Sequence, residues 1–440
     1  MNNYLPTDYQ SFIHKSRYAK YIEGVGRESW SDTVERFLVN IVGDKVDQKT
    51  KAQLEEAILS LDVMPSMRSL MTAGPAAERD NTCMYNCSYL PIDNVKAFDE
   101  AMFILLCGTG VGFSVERQFI SKLPDVPTLY QSETNIVVKD SKEGWAKALR
   151  QLIALLYSGE IPTWDVSQVR PAGAPLKTFG GRASGPAPLV DLFNFTIHTF
   201  RNAAGRRLSS IEVHDVMCKI GEVVVVGGVR RSAMISLSNL SDDRMRHAKS
   251  GQWWEENPQR GLANNSVSYT EKPDSLSFMR EWTALVESRS GERGIFNREA
   301  SKKQASLNGR RDNNYEFGTN PCSEIILRPN QFCNLTEVVV RATDTFDTLS
   351  EKVRLATILG TIQSTYTKFP YLRKIWQNNT EEERLLGVSM TGIMDNPLMT
   401  TTNVGLEKTL GSLKKVAVDT NAKWAAKLDI PVAAAITCVK

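Results

Sequence analysis

The chain has 440 residues, 42% of them apolar, and Lys+Arg 53 against Asp+Glu 50 leaves a net charge of +3. That length allows two or three domains around a large buried core, and the near-balance of charge excludes the strongly basic face of a DNA- or RNA-binding module. No apolar run is long enough to span a bilayer. Met1-Asn2-Asn3-Tyr4-Leu5-Pro6 also lacks the basic-then-apolar order of a secretory signal, so a cytoplasmic protein without membrane or nucleic-acid partners is expected.

Seven cysteines without regular spacing argue against a secreted disulfide framework and for a reducing compartment. The four histidines are scattered and no Cys-x-x-Cys occurs, so no metal site is expected.

In chain order, residues 1–75 read as a helical cap. Ser31 can cap a helix carrying Val34, Phe37 and Leu38. A second helix places Leu54, Ile58 and Leu61 on one face before Pro65 stops it. In Met64-Pro65-Ser66-Met67-Arg68 the serine either bonds a phosphate or opens a turn.

Asn81-Thr82-Cys83-Met84-Tyr85-Asn86-Cys87 supplies two thiols, and Cys87-Ser88-Tyr89-Leu90 reads as a strand. An apolar helix with Ala101, Phe103, Ile104 and Leu105 leads into Gly108-Thr109-Gly110-Val111-Gly112 and a strand, Phe113-Ser114-Val115. Helix, glycine turn, strand is the reverse of a dinucleotide fingerprint. The glycines instead suggest close backbone approach to a ligand, or a plain tight turn.

Residues 122–186 are loop-rich, interrupted by a helix with Trp145, Leu149, Leu152 and Leu156 on one face. Phe179-Gly180-Gly181-Arg182 could cradle a phosphate or be an ordinary glycine-rich loop. Residues 209–226 read as a helix despite the β-branched end Val223–Val226, with Gly227-Gly228 ending it. A strand then covers 231–237; Arg230 and Arg231 meet either a nucleotide phosphate or carboxylates. Trp253 and Trp254 are expected in a core. Asn264-Asn265-Ser266-Val267-Ser268 and Gly294-Ile295-Phe296-Asn297 read as short strands, and 301–316 as a charged loop.

Gly318-Thr319-Asn320-Pro321-Cys322-Ser323-Glu324-Ile325 follows, then Gln331-Phe332-Cys333-Asn334-Leu335. If the first segment is extended, Asn320, Cys322 and Glu324 share one face. For any one cysteine taken alone, burial as a small hydrophobe is the ordinary outcome. Beyond it, 350–366 is an amphipathic helix, 386–392 a buried strand and glycine turn, 406–428 a long helix and 431–439 an apolar strand.

Together these stretches resemble a ribonucleotide reductase. Asn-Pro-Cys-Ser-Glu-Ile with Phe-Cys-Asn-Leu is similar to the family's radical-site finger loop, and Tyr-Asn-Cys-Ser-Tyr-Leu to the strand of its partner redox cysteine. Four further stretches resemble the adenosylcobalamin-dependent (class II) branch, particularly its monomeric triphosphate-reducing members. They are Gly108-Thr109-Gly110-Val111-Gly112-Phe113-Ser114, Phe179–Pro186, Gly228-Val229-Arg230-Arg231-Ser232-Ala233 and Ala263-Asn264-Asn265-Ser266. The resemblance covers 30–440.

It implies an α/β fold, a ten-stranded reductase/glycyl-radical-type barrel incomplete at its C-terminus behind the 1–75 cap. The barrel region is 76–440, with an effector-site-like insertion at about 120–186. It also implies reduction of ribonucleotides, expected as triphosphates, to 2′-deoxyribonucleotides through a thiyl radical, supplying DNA precursors. Adenosylcobalamin would be the cofactor, a dNTP or ATP the effector and a thioredoxin-like protein the reductant.

By the same resemblance Cys322 is the radical residue, Glu324 takes the 3′-hydroxyl proton, Asn320 orients the ribose, and Cys87 with Cys333 closes to a disulfide. Cys83 is the rival of Cys87. Ser66, Asn86, Thr109 and Gly110 lie at the substrate. Cys107, Cys218 and Cys438 are packing residues.

Family members run from a Thr-x-Val-Lys strand, here Thr437-Cys438-Val439-Lys440, into a phosphate-binding loop that this sequence does not contain. A split reductase completed by a C-terminal partner is the expectation. The alternatives are a nucleotide-binding regulatory fragment without turnover and a glycyl-radical enzyme on the same barrel.

Overall fold

The computed structural model describes residues 4–22, 24–174, 182–226, 233–400 and 404–437. They form two compact units: one from the residues up to Asn86 together with those from Phe332 on, the other from Cys87–Gln331. The Gly227–Ser232 and Phe179–Gly181 motif residues and Cys438 fall outside the described residues.

The Cys87–Gln331 unit is built on five parallel strands. Their order is Gly294–Asn297, Ala263–Tyr269, Met234–Asn239, Gly110–Ser114 and Cys87–Pro91. Cys87 lies opposite Gly110 and Tyr89 opposite Gly112. A parallel sheet is covered on its faces by crossover helices, so its strands and helices carry apolar runs rather than clean alternation. Helix Lys96–Leu106 is buried at every position from Ala97 onward. Helix Ser210–Val226 buries Val213, Val216, Met217, Ile220, Val223 and Val224. That continuous packing explains why its valine-rich end is helical against its local preference.

The insertion is more ordered than its loop-rich sequence suggests. Strands Tyr130–Val137 and Glu160–Asp165 pair in parallel around helix Lys142–Tyr157, and helix Ala187–Asn202 follows. The expected loop at 301–316 is also partly helical, over Arg298–Ser306, capped by Asn297. Trp254 is exposed and Trp253 only half-buried, on a four-residue helix, so the pair is not a core element.

In the other unit, strand Gln331–Val339 pairs in parallel with Leu386–Thr391 and antiparallel with Val63–Met64. Leu386–Thr391 in turn pairs with Ile436–Thr437. Tyr85, Phe332, Phe369 and Trp376 stack around the first of these strands at centroid separations of 4.7 to 5.6 Å.

The early helices are Trp30–Phe37 and Gln48–Leu59. Ser29, not Ser31, caps the first, in a reciprocal arrangement with Asp32. Leu61 lies beyond the second helix, with φ +61°. The long C-terminal helices are Phe346–Gln363, begun by a Thr345 cap four residues earlier than expected, and Val404–Lys427.

Candidate active site

The cysteine loop is a hairpin, not an extended segment. Gly318–Thr319 pairs antiparallel with Ile326–Leu327. Between them Ser323 N donates to Asn320 O at 2.9 Å, and Ser323 holds φ +67°, a left-handed conformation that non-glycine residues seldom adopt. The chain reverses at Pro321 and Cys322.

The expected common face of residues 320, 322 and 324 is therefore replaced by a turn. Asn320 Nδ2 donates to Glu324 Oε2 at 2.7 Å and faces Cys87 Sγ at 3.5 Å. Asn320 Oδ1 accepts from Ile325 N at 3.0 Å. Asn320 is fully buried, and Cys87 is buried with 8% exposure. Cys322, at the apex, is exposed, whereas the barrel that the resemblance implies would enclose its sulfur. Pro321 and Ile325 take the buried positions beside it.

Consecutive residues of the incoming arm are each fixed by a different contact. Phe317 O accepts from Arg298 Nε at 2.8 Å. Gly318 lies on the ring of Tyr89, which a Cβ would meet at 2.1 Å. Thr319 O presses on Gly112, where a Cβ would come within 1.8 Å of it. Pro321 packs on Gly110, whose Cβ would sit 2.9 Å from Cγ. Gly110 and Gly112 are thus strand residues, not turn residues. The close approach seen at both is by the hairpin itself.

Arg298 and Glu116 form a pair with both side chains fully buried, with bonds of 2.8 and 2.5 Å. Burial works against the arginine's charge, but the twofold bond to Glu116 outweighs it and holds the guanidinium above its ordinary pKa. On the return arm Arg311 Nη1 donates to Ile326 O at 2.9 Å, and Gln331 Oε1 accepts from Arg328 N at 2.8 Å. Arg311, expected in a charged loop, is buried. Neither Arg298 nor Glu116 stands out in the sequence, because the two lie far apart along the chain and no spacing links them.

Cys87, Thr109, Gly110, Asn320, Cys322 and Glu324 belong to the Cys87–Gln331 unit; Ser66, Asn86 and Cys333 belong to the other. Thr109 is buried, and Gly110 O accepts from Ser88 Oγ at 2.9 Å. Ser66 is buried, caps helix Met67–Thr72 and donates to Asn86 Oδ1 at 2.7 Å. Cys333 is buried in strand Gln331–Val339.

Of the other thiols, Cys83 is buried with Sγ 3.2 Å from Asp80 O. Cys107 is buried with Lys142 Nζ 3.1 Å away. Cys218 is buried beside His214, and burial pushes its pKa up. Arg182 is exposed and donates to Gly173 O. Among the described residues no group of three or more His, Cys, Asp or Glu side chains could hold a metal ion, and no helix is long and apolar enough to cross a membrane.

The fold is that of a ribonucleotide reductase. A crystal structure of a B12-dependent (class II) ribonucleotide reductase superposes with a TM-score of 0.81 at 24% identity, covering 97% of this chain and 72% of that one. The Actinobacillus ureae class Id ribonucleotide reductase alpha subunit matches with a TM-score of 0.57 at 10% identity, over 99% of this chain and 72% of that one.

In sequence, residues 122–199 match the insertion domain of B12-dependent ribonucleotide reductase. The adenosylcobalamin-dependent ribonucleoside-triphosphate reductases of Lactobacillus delbrueckii subsp. bulgaricus and Lactobacillus leichmannii are each 30% identical over 87% of this chain. That of Lacticaseibacillus paracasei is 28% identical over the same share. Sequence and fold together match the adenosylcobalamin-dependent, class II, ribonucleotide reductase family, and the chain spans 61% of the length of these relatives.

Proposed function

We propose that the chain carries the radical site of an adenosylcobalamin-dependent reductase that converts ribonucleotides, as triphosphates, to 2′-deoxyribonucleotides. The observation that carries this reading is the hairpin in which one buried amide, Asn320, bonds a carboxylate and faces a thiol while a second thiol stands at the apex.

Each group has a task. Hydroxide is a poor leaving group, and removal of the ribose 3′-hydrogen by a sulfur radical at Cys322 eases departure of the 2′-oxygen as water. Cys322 then returns the hydrogen. Glu324 accepts the 3′-hydroxyl proton, which needs an ionised carboxylate within hydrogen-bond reach. The Asn320 amide keeps that carboxylate turned toward the sugar. Cys87 and Cys333 supply two electrons and close to a disulfide, which requires their Cα atoms within about 7 Å in the working enzyme. A thioredoxin-like protein reopens it. Ser66, Asn86, Thr109 and Gly110 seat the substrate, and the 122–199 insertion takes a dNTP or ATP effector.

When bound, adenosylcobalamin supplies the radical equivalent, as cofactors do for chemistry that side chains cannot perform. The exposed Cys322 thiol fits that supply, because the sulfur must be reachable from outside the hairpin.

Cys322→Ser in the full-length protein, assayed with ribonucleoside triphosphate, adenosylcobalamin and a dithiol, tests the reading. Deoxynucleotide formation should fall to background while equilibrium nucleotide binding persists. Turnover that survives the substitution overturns the assignment.

A further inference from the structure

The Arg298–Glu116 pair takes no part in the chemistry above, yet it is among the most deeply buried groups in its unit. We infer that Arg298 and Glu116 are positioning residues that set where the cysteine hairpin sits along the sheet. The inference rests on the reductase reading for its kinetic consequence only.

The contacts along the incoming arm differ in kind. The Tyr89 ring beneath Gly318, Gly112 beneath Thr319 and Gly110 beneath Pro321 are steric stops. They prevent the hairpin from sinking into the sheet but do not stop it from sliding or lifting. The bond from Arg298 Nε to Phe317 O is directional, and it acts on the residue just before the hairpin. Nη1 and Nη2 bond both oxygens of Glu116, and Nη1 also lies 3.3 Å from Glu316 Oε2.

Glu116 is itself fixed, accepting from Ser114 Oγ at 2.8 Å and from Gln118 Nε2 at 3.0 Å. Ser114 closes the Gly110–Ser114 strand, so the same strand that supplies the steric stops anchors the clamp. An arginine suits this task because its planar fork binds a carboxylate with two bonds and still has Nε for a third partner. A lysine has no such geometry.

Stability is a poor reason for the pair. At full burial the desolvation of two charges roughly cancels their attraction, and well-packed apolar replacements are often tolerated. What the pair supplies that an apolar pair cannot is direction. A displacement of the hairpin by about 1 Å would carry the Asn320 amide, Glu324 and Cys322 together off the geometry the reaction needs, a misplacement that costs on the order of 100-fold in rate.

The test is the double variant Glu116→Leu/Arg298→Met in the full-length protein, which leaves no buried charge orphaned, since Glu316 is exposed and keeps Lys302. Arg298→Lys covers the case in which the double variant does not fold, because it keeps a charge against Glu116 but has no fork to reach Phe317 as well. In the folded variant, amide hydrogens of 318–325 should exchange faster while those of the Cys87–Pro91 and Gly110–Ser114 strands keep their protection. Turnover should fall about 100-fold in kcat with KM little changed, since the hairpin and not the substrate seat has moved. Unchanged exchange across 318–325 overturns the inference, as does a loss that appears in KM and spares kcat. If exchange rises but Cys322→Ser leaves turnover intact, the positioning role stands and the reductase reading fails.

Discussion

At position 320 a single side chain does three jobs. Its Nδ2 bonds Glu324 and faces Cys87, and its Oδ1 closes the turn onto Ile325 N. An amide carries a donor end and an acceptor end on one rigid plane, so it can hold a carboxylate and cap a backbone at once. Asn320→Leu keeps the approximate volume and removes both ends. It leaves Glu324 Oε2 without that donor inside a partly buried turn, and loss of one such oriented donor costs about 100- to 1,000-fold in kcat. The expected outcome is that loss in deoxynucleotide formation, with the fold retained by circular dichroism. A variant that keeps turnover within a few-fold would show that the amide does not orient the carboxylate. Asn320→Asp should be at least as damaging, because it sets a second carboxylate against Glu324 and both resist ionising together.

Elements explain why the sequence told residue types better than geometry. Asn320, Cys322 and Glu324 are legible because three chemically distinct side chains crowd into five positions. The two-residue period assumed for them fails because a proline and a left-handed serine turn the chain between them. The parallel strands Cys87–Pro91, Ala263–Tyr269 and Gly294–Asn297 are legible as short runs bounded by turn residues, whereas Gly110–Ser114 is only half legible because its glycines read as a turn. Strand Tyr130–Val137 is not, because nearly all of it is exposed and no apolar face marks it. Helix Ala187–Asn202, by contrast, buries Leu189, Leu192, Phe193, Thr196, Ile197 and Phe200 at helical spacing, a signal that was there to read.

The glycines show the limit most sharply. Gly-x-Gly announces a close approach but cannot name the neighbour, which here lies some two hundred residues further on, in the hairpin. Gly112→Ala puts a methyl on Thr319 O, a backbone atom that cannot swing aside. Either strand or hairpin must move. The expected cost is about 1–3 kcal/mol, typical of overpacking, read as a lower urea midpoint with an unchanged m-value. Wild-type stability in Gly112→Ala would mean that hairpin and sheet are not in contact. Gly205→Ala is the control for loss of glycine, with no atom near the added methyl but with a positive φ of its own.

On the scale of the whole chain, acid stability should be governed first by histidines and only later by carboxylates. His214 is fully buried, with Nδ1 3.0 Å from Ser236 Oγ and Nε2 3.4 Å from Cys218 Sγ. Burial, helped by the nearby Arg260 and Lys249, pushes its pKa down to about 3. In the other unit, burial also lowers the pKa of His14, which bonds Thr33.

A base with a depressed folded pKa is protonated first in the unfolded chain, so the unfolded state binds more protons as pH falls below the ordinary value of about 6.5. Stability therefore declines from near pH 6.5 downward, and the His214 contribution levels off only near pH 3. At pH 5 the His214 contribution alone is about 2 kcal/mol.

The carboxylates come in lower. Burial opposes the charge of Glu212, but bonds from Arg206 and Ser209 bring its pKa to about 2. Its stabilising contribution is present above the ordinary carboxylate value of about 4.3 and is lost only as pH falls from there toward 2. Between pH 6.5 and 4.5 the slope thus belongs to the histidines. Urea unfolding at half-unit intervals across that window should show it, and His214→Gln, which can still bond Ser236, should flatten it. A slope that begins only below pH 4.5, or one that survives unchanged in His214→Gln, would place His214 in a hydrated environment that protonates freely.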